Sequence, residues 1–593
     1  MRHSIKHALA ASLVLALLSA CGGGGSGGTS GGSSSQSSQS SQSGQSGQSS
    51  TSSSSGSQPG EDTPTSVPTS SLDAARLLSQ ATFGADEASI DDIAANGPAS
   101  WITRQFAMAP NSHQAYVDNI KSQLASGATL QQKDFLESFW TQAAAGQDQL
   151  RQRVALALSE IFVVSFQSSV NVRSIASYYD VLGRNAFGNF RTLLQEVTLH
   201  PAMGQYLTYL RNQKENGAGR VPDENYAREV MQLFTIGLYQ LSQDGSPVLK
   251  DGKPVETYTN SDVSGLARVF TGWSWGGPDI SDNRWAGNSL AQDPDRDVIP
   301  MQAYPKYHST SEKSFLSVTI PQTSGTPSVA DVNSDLNTAL NTLFNHPNAG
   351  PFFARQLIQR LVTSNPSPAY VSRVAAAFAN NGQGVRGDMR AVIRAVLLDP
   401  EARDATVAQG QGYGKVREPI VRLGNWLRAF HAMPPSGRYQ VGSTDSTLGQ
   451  TPMNSSSVFN FFRPGYVPPN TQIASLGLVA PEMQISNESS VAIYINSMQT
   501  YVQGYVGPSL DRAAPDYTKE LALADQPGAL VDRLSLLLAA GNMKTTTRSR
   551  IISAVSDITL RTNTATNNAT DRRNRVLLAV LLTMASADYI VQK

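Results

Sequence analysis

The chain has 593 residues with 46 basic and 46 acidic side chains, so its formal charge is zero. A balanced chain without a basic block lacks the electrostatic footprint of a nucleic-acid binder, and that class of partner is set aside. A single cysteine excludes an internal disulfide and any site with several cysteine ligands.

Residues 1–20 read as a lipoprotein signal peptide. Arg2 and Lys6 precede an uncharged apolar run from Ala8 to Leu18, which is too short to span a bilayer. Leu18-Ser19-Ala20-Cys21 resembles the lipobox of bacterial lipoproteins, in which the cysteine is acylated and becomes the first mature residue. Lipidation of Cys21 is therefore expected, and acyl chains contributing about 0.8 kcal/mol per buried methylene would anchor the chain to a membrane. Gly22 stands where an inner-membrane retention signal would carry aspartate. The expected location is thus the cell envelope, with the outer membrane favoured and the choice of periplasmic or surface face open. Residues 22–60 contain only Gly, Ser, Gln, Thr and Pro. Such a stretch cannot bury enough apolar surface to offset its chain entropy, so residues 21–70 are expected to form a lipidated, disordered tether with a reach of about 40 Å.

From residue 71 to 593 the patterns predict one mainly α, large multi-helix domain, possibly with subdomains, with a few short strands and long ordered loops. Ser71 is expected to cap a helix that opens at Leu72, and Ser89-Ile90-Asp91-Asp92 reads as a capping box with Gly97 as the stop. Leu150 to Val164 is apolar enough for a helix buried on nearly all sides. Glu160 interrupts it, and a buried carboxylate must meet a cation, be protonated or line a cavity. The ordinary reading pairs it with Arg153, Arg184 or Arg228. The functional one places it with Glu224 and Glu229 in a polar pocket.

Pro222 to Gly237 is the densest segment. Asp223 can cap a helix, Glu224 sits at its positive end, and Gly237 can end it. Tyr226, Val230, Leu233 and Phe234 share a face that should enter the core, while Arg228 pairs with Glu224 and Glu229 lies at the boundary. A hairpin is expected around Asp251-Gly252. Gly272-Trp273-Ser274-Trp275-Gly276 fits a nucleophile-elbow pattern formally but follows a helix-like run instead of a strand. Asp293, Asp295 and Asp297 alternate as in a calcium loop, yet Val298 and Tyr304 occupy the positions of its glycine and glutamate. They form a weak candidate for a metal site beside the plainer reading of a solvated acidic turn. Lys313 to Ile320 alternates as a strand. Helices are expected near Pro351–Val362, Tyr370–Ala379, Asp388–Leu398, Arg417–Phe430, Pro527–Leu538 and Asp571–Met584. Gly410, Gly412 and Gly414 before Lys415 read as a turn, since Val416 replaces the Ser or Thr of a phosphate loop. Two long loops, about Gly276–Ser311 and Pro434–Pro469, are candidates for a ligand surface. No cofactor is specified.

Asn225-Tyr226-Ala227-Arg228-Glu229-Val230, preceded by Glu224, closely resembles the Asn-Glu-Asn-Tyr-Ala-Arg-Glu-Leu signature of the uncharacterised bacterial family of domain of unknown function 1800 (DUF 1800). Further stretches agree in order: Ala75-Arg76-Leu77-Leu78 with Ala81-Thr82-Phe83-Gly84, Tyr258-Thr259 through Thr271-Gly272-Trp273, His308 with Glu312-Lys313-Ser314-Phe315-Leu316, and Leu448-Gly449-Gln450 with Ser457 to Pro464. The resemblance spans about Leu72 to the end. Some members carry His-Asn-His where this chain has Ser159-Glu160-Ile161, so a metal role suggested by those histidines is unsupported here, and the Asp and Gly of the family's histidine element are Ser309 and Ser311, which weakens a direct transfer of that site. Members are often encoded beside an exported sulfatase-like family, which suggests a partner by association.

Two functions follow as expectations, and whether the chain is an enzyme stays open between them. In the first, a lipid-anchored envelope protein binds or assembles an envelope polymer or partner protein, with Trp273, Trp275, Phe462 and Arg463 as ligand contacts. In the second, an envelope hydrolase uses a carboxylate-lined pocket around Glu224 and Glu229, with Glu160, Asn225, Arg228, His308 and Lys313 completing the candidate pocket. The first is preferred because no nucleophile and base stand in a convincing context.

Overall fold

The computed structural model describes residues 67–288 and 293–593. The expected signal peptide, Cys21 and nearly all of the expected tether lie outside the described residues. What is described belongs to one unit running from Thr63 to Lys593. It is mainly α, with 27 α-helices and four two-stranded antiparallel sheets among the described residues.

Short helices of this kind are set by their ends. Side-chain caps and capping boxes at Gln131/Asp134, Thr259/Asp262 and Ser328/Asp331 satisfy amide groups that would otherwise be orphaned. The first described helix, Ser71–Ala81, is capped by Ser70, one residue earlier than expected. The next, Glu87–Asn96, starts from Asp86, whose side chain accepts from the Ser89 amide. Ser89 therefore lies inside the first turn and does not cap it, whereas Gly97 does stop the helix, at a φ of 82°.

Two helices form the centre, and each is buried at every position: Gln149–Ser159 and Pro419–Ala429. The apolar run after Leu150 stays buried to Val164, but the helix ends at Ser159 and Glu160 is its C-cap. The second central helix begins at Pro419 instead of Arg417, because proline fits the first helical position and Lys415–Val416 pairs as a strand with Val591–Gln592 near the chain end. Around this pair pack Ser71–Ala81 and Val172–Asn185 against the first helix, Gln132–Ala145 against both, and Pro527–Ala539 against the second. Phe83, Phe135, Phe139 and Tyr179 interlock by tilted and edge-to-face contacts with centroids 5.7 to 6.5 Å apart.

The signature segment departs from a plain helix. Asn225–Glu229 is α-helical, but Val230–Thr235 widens into a π-helix, held by Thr235 Oγ1 donating to the Val230 carbonyl at 2.5 Å. The extra residue per turn rotates the register, so Met231 joins Tyr226, Val230 and Phe234 in the core while Leu233 turns outward to half-burial. Gly237, at a φ of 73°, closes the segment. The Asp251-Gly252 hairpin forms between Leu249–Lys250 and Lys253–Pro254. Lys313 to Ile320 is a hairpin and not one strand: Leu316 and Ser317 both take left-handed φ, which folds Lys313–Phe315 onto Val318–Ile320.

A cleft over a buried ion network

A cleft of about 450 Å³ opens beside the central helices. The π-helix contributes Gln232 and Leu233, the turn after it Leu238, Tyr239 and Leu241, and the helix Ala349–Leu361 contributes Phe352, Arg355 and Gln359. Val458, Phe459 and Arg463 of the late loop close the far wall. The position of Leu233 depends on the π-helix, since a continuous α-helix would turn it into the core. Arg463 is exposed and stacks its guanidinium over Phe459 at 4.6 Å. Arg355 is exposed on the opposite helix. Neither arginine reaches a carboxylate among the described residues, in a chain where most of the others do or are tied to carbonyls.

Glu160 and Arg360 belong to both the cleft and a buried network beneath it. Arg360 Nε lies 3.5 Å from Glu160, Arg153 Nη2 lies 4.0 Å from Glu418, and Lys415 Nζ lies 3.6 Å from Glu418 and 3.0 Å from Glu482. All six side chains are at most 4% exposed. Arg153 and Lys415 also donate to the Arg360 carbonyl at 2.5 and 2.8 Å, and Arg360 donates to that of Glu160 at 3.0 Å. Burial and the neighbouring Glu418 carboxylate push Glu160 well above the usual carboxylate range. Burial works against Glu418 too, but a hydrogen bond from Glu160, the charges of Lys415 and Arg153, and Gln450 donating at 2.8 Å hold it down to about 2. The two carboxyls are thus pushed in opposite directions, Glu160 up and Glu418 down. Both Glu160 carboxyl oxygens are buried, and Glu160 forms part of the floor of the cleft. The ordinary reading of Glu160 as an arginine partner holds in kind, but the partner is Arg360, which the sequence reading did not name. Arg184 and Arg228 are engaged elsewhere.

The candidate pocket residues are otherwise dispersed. Glu224 accepts from Arg228 at 3.3 Å and from Ser264 Oγ at 2.5 Å, and Asn225 opens the helix with its amide on Asp223. Glu229 is buried, its Oε2 unpartnered among the described residues, and burial raises it above the ordinary range. It does not line the cleft. His308 and Lys313 converge on Asp335, at 3.1 and 3.0 Å, while His308 Nδ1 faces the Thr271 carbonyl at 2.7 Å. Both ring nitrogens are engaged within the fold, so His308 is not presented to a ligand.

Three of the four expected ligand contacts are corrected. Trp273, Trp275 and Phe462 are buried, at 1%, 6% and 3% exposure, because loop aromatics here plug gaps between helices. Trp273 Nε1 donates to the Val269 carbonyl, and Trp275 lies under the Arg296 guanidinium. Only Arg463 reaches the cleft. Ser274 sits in a two-residue strand and donates to the Trp285 carbonyl at 2.8 Å, which is not the geometry of a nucleophile elbow. Asp293, Asp295 and Asp297 are taken by Arg284, Arg173 (2.7 Å) and Arg296 (4.0 Å). Among the described residues no group of three or more His, Cys, Asp or Glu side chains is placed to hold a metal ion. Sequence reading missed Arg355, Gln359, Arg360, Lys415, Glu418 and Glu482. The Lys415/Glu418 spacing was the available signal, but burial is what makes such a pair informative.

A family model described as protein of unknown function (DUF1800) matches residues 76–591. No curated protein matches the chain. No solved structure matches it either.

Proposed function

The chain belongs to the DUF1800 family, and from that premise we propose that it is an exported cell-envelope protein, anchored by lipid on Cys21 with the outer membrane favoured, whose cleft binds a partner protein or envelope polymer. The observation that carries this reading is the cleft itself: apolar walls, a rigid charged floor, and two arginines without carboxylate partners among the described residues. Pockets of this size with a few convergent polar groups are ordinary ligand sites, and an unspent guanidinium beside apolar surface favours an anionic ligand. An exported sulfatase-like protein is the first partner to test.

Two measurements bear on the proposal. Cys21→Ser should release the chain from the membrane fraction, and mass spectrometry finding an unmodified Cys21 in cells would refute the anchor. Leu233→Trp fills the cleft from a half-exposed position, so it should leave the fold intact and abolish co-purification of the native partner. Undiminished co-purification would remove the cleft from the account.

A second reading is hydrolysis of a glycan or ester, with the buried Glu229 carboxyl, whose Oε2 has no partner among the described residues, as the acid. On that reading Glu229→Gln keeps its fold and loses turnover of an envelope substrate. Unfolding of the variant would make the carboxyl structural.

A further inference from the structure

We infer that the cleft takes a peptide carboxyl terminus bearing apolar side chains, recognised by Arg355, Arg463 and Gln359. The inference rests on reading the cleft as a binding site and names its ligand class.

Three features of the walls narrow the ligand. Leu233, Leu238, Tyr239, Leu241, Phe352 and Phe459 form a continuous apolar surface, with Leu238 and Tyr239 left 49% and 45% exposed at the mouth. An apolar ligand would cover them. Stacking on Phe459 fixes the plane of Arg463 and leaves the edge of its guanidinium free, the edge that engages a carboxylate through two parallel hydrogen bonds.

Gln359 separates a peptide from a fatty acid. Its side chain is 3% exposed, and Nε2 donates to the carbonyls of Ser364 at 2.9 Å and Pro464 at 3.2 Å, which fixes the orientation of the amide. Oε1 is then a buried acceptor on the cleft wall with no donor among the described residues. A buried acceptor left without a donor is costly, so the ligand should bring an N–H group. A peptide amide next to a terminal carboxylate supplies both groups, whereas a fatty acid supplies only the anion.

The test is fluorescence anisotropy on the full-length protein with an amino-terminally labelled Ala-Leu-Ala-Leu peptide, as free acid and as carboxamide, and with dodecanoate as competitor. The acid should bind about tenfold or more tightly than the carboxamide, and Arg355→Ala/Arg463→Ala should erase the difference. Gln359→Leu should weaken the acid peptide and leave dodecanoate unaffected. Equal binding of acid and carboxamide, or dodecanoate displacing the peptide at equal concentration in the wild type, overturns the inference. If no peptide binds while Leu233→Trp still abolishes partner co-purification, the carboxyl-terminus inference fails and the binding function stands. If Leu233→Trp also changes nothing, both fail.

Discussion

Glu160 shows how one buried side chain acquires a pH dependence. Its folded value is raised above the ordinary 4.5, so folding takes up a proton. The associated stability is fully present below about 4.5 and is lost as pH rises through the raised value. Glu418 has the opposite sign: held down to about 2, it contributes stability above 4.5 that is lost as pH falls toward 2. Glutamine at 160 can donate to Glu418 without needing a proton. Glu160→Gln should therefore raise stability near pH 8 and flatten the decline expected on going there from about pH 5, measured by urea unfolding. An unchanged slope would mean that Glu160 is ionised. Asp335 carries the second prediction at this scale. Burial pushes it up, but hydrogen bonds from His308 and Lys313 hold it below 3.8, so its contribution is present above that value and lost below it. Asp335→Asn strands the buried Lys313 ammonium and should cost about 3–5 kcal/mol at neutral pH. It should also remove this site's share of the acid-side loss. Equal melting temperatures for variant and wild type at pH 7 would contradict that.

Elements in this fold are short and are positioned by what they pack on. The helix Asn260–Val269 receives the hairpin strand Lys313–Phe315 so closely that a Cβ on Gly265 would fall 1.8 Å from the Ser314 carbonyl oxygen. Gly265→Ala should displace the hairpin and pull Lys313 away from Asp335. The expected cost is about 3 kcal/mol, seen as a lower melting temperature and as loss of the acid-side dependence assigned to Asp335. A variant as stable as the wild type would mean that the hairpin is free to shift. The helices expected near Pro351–Val362, Tyr370–Ala379, Asp388–Leu398 and Pro527–Leu538 lie within two residues of their observed ends, because apolar spacing and starts are local signals. Val329–Asn345, Glu488–Tyr501 and Thr545–Ser556 were not anticipated, and the last long helix begins at Ala565, six residues before Asp571. The π-helix was not anticipated either. Nothing in Val230 to Thr235 breaks the α pattern, and only packing of Met231 and Phe234 into the core selects the wider turn.

Across the whole molecule, the last residues hold distant parts together. Val591–Gln592 pairs with Lys415–Val416, and Gln592 Nε2 donates to the Leu361 carbonyl at 2.8 Å, beside the network under the cleft. Deleting Val591 to Lys593 should lower the melting temperature by about 5 °C or more and weaken peptide binding along with it. A truncated chain with wild-type melting and binding would show the clamp to be dispensable.

Helical class, helix ends and the family signature were present in the linear order, because amphipathic spacing, caps and prolines act over three or four residues. The lipid-anchor expectation rests on the same kind of local pattern. The cleft was decided by tertiary structure alone. Arg355 and Arg463 stand 108 positions apart in the chain, and Glu160, Arg360 and Glu418 come from three separate segments. What makes them a site is that the first two are left unpaired and the other three are removed from water. Pairing and burial depend on the whole fold, and no local pattern encodes either.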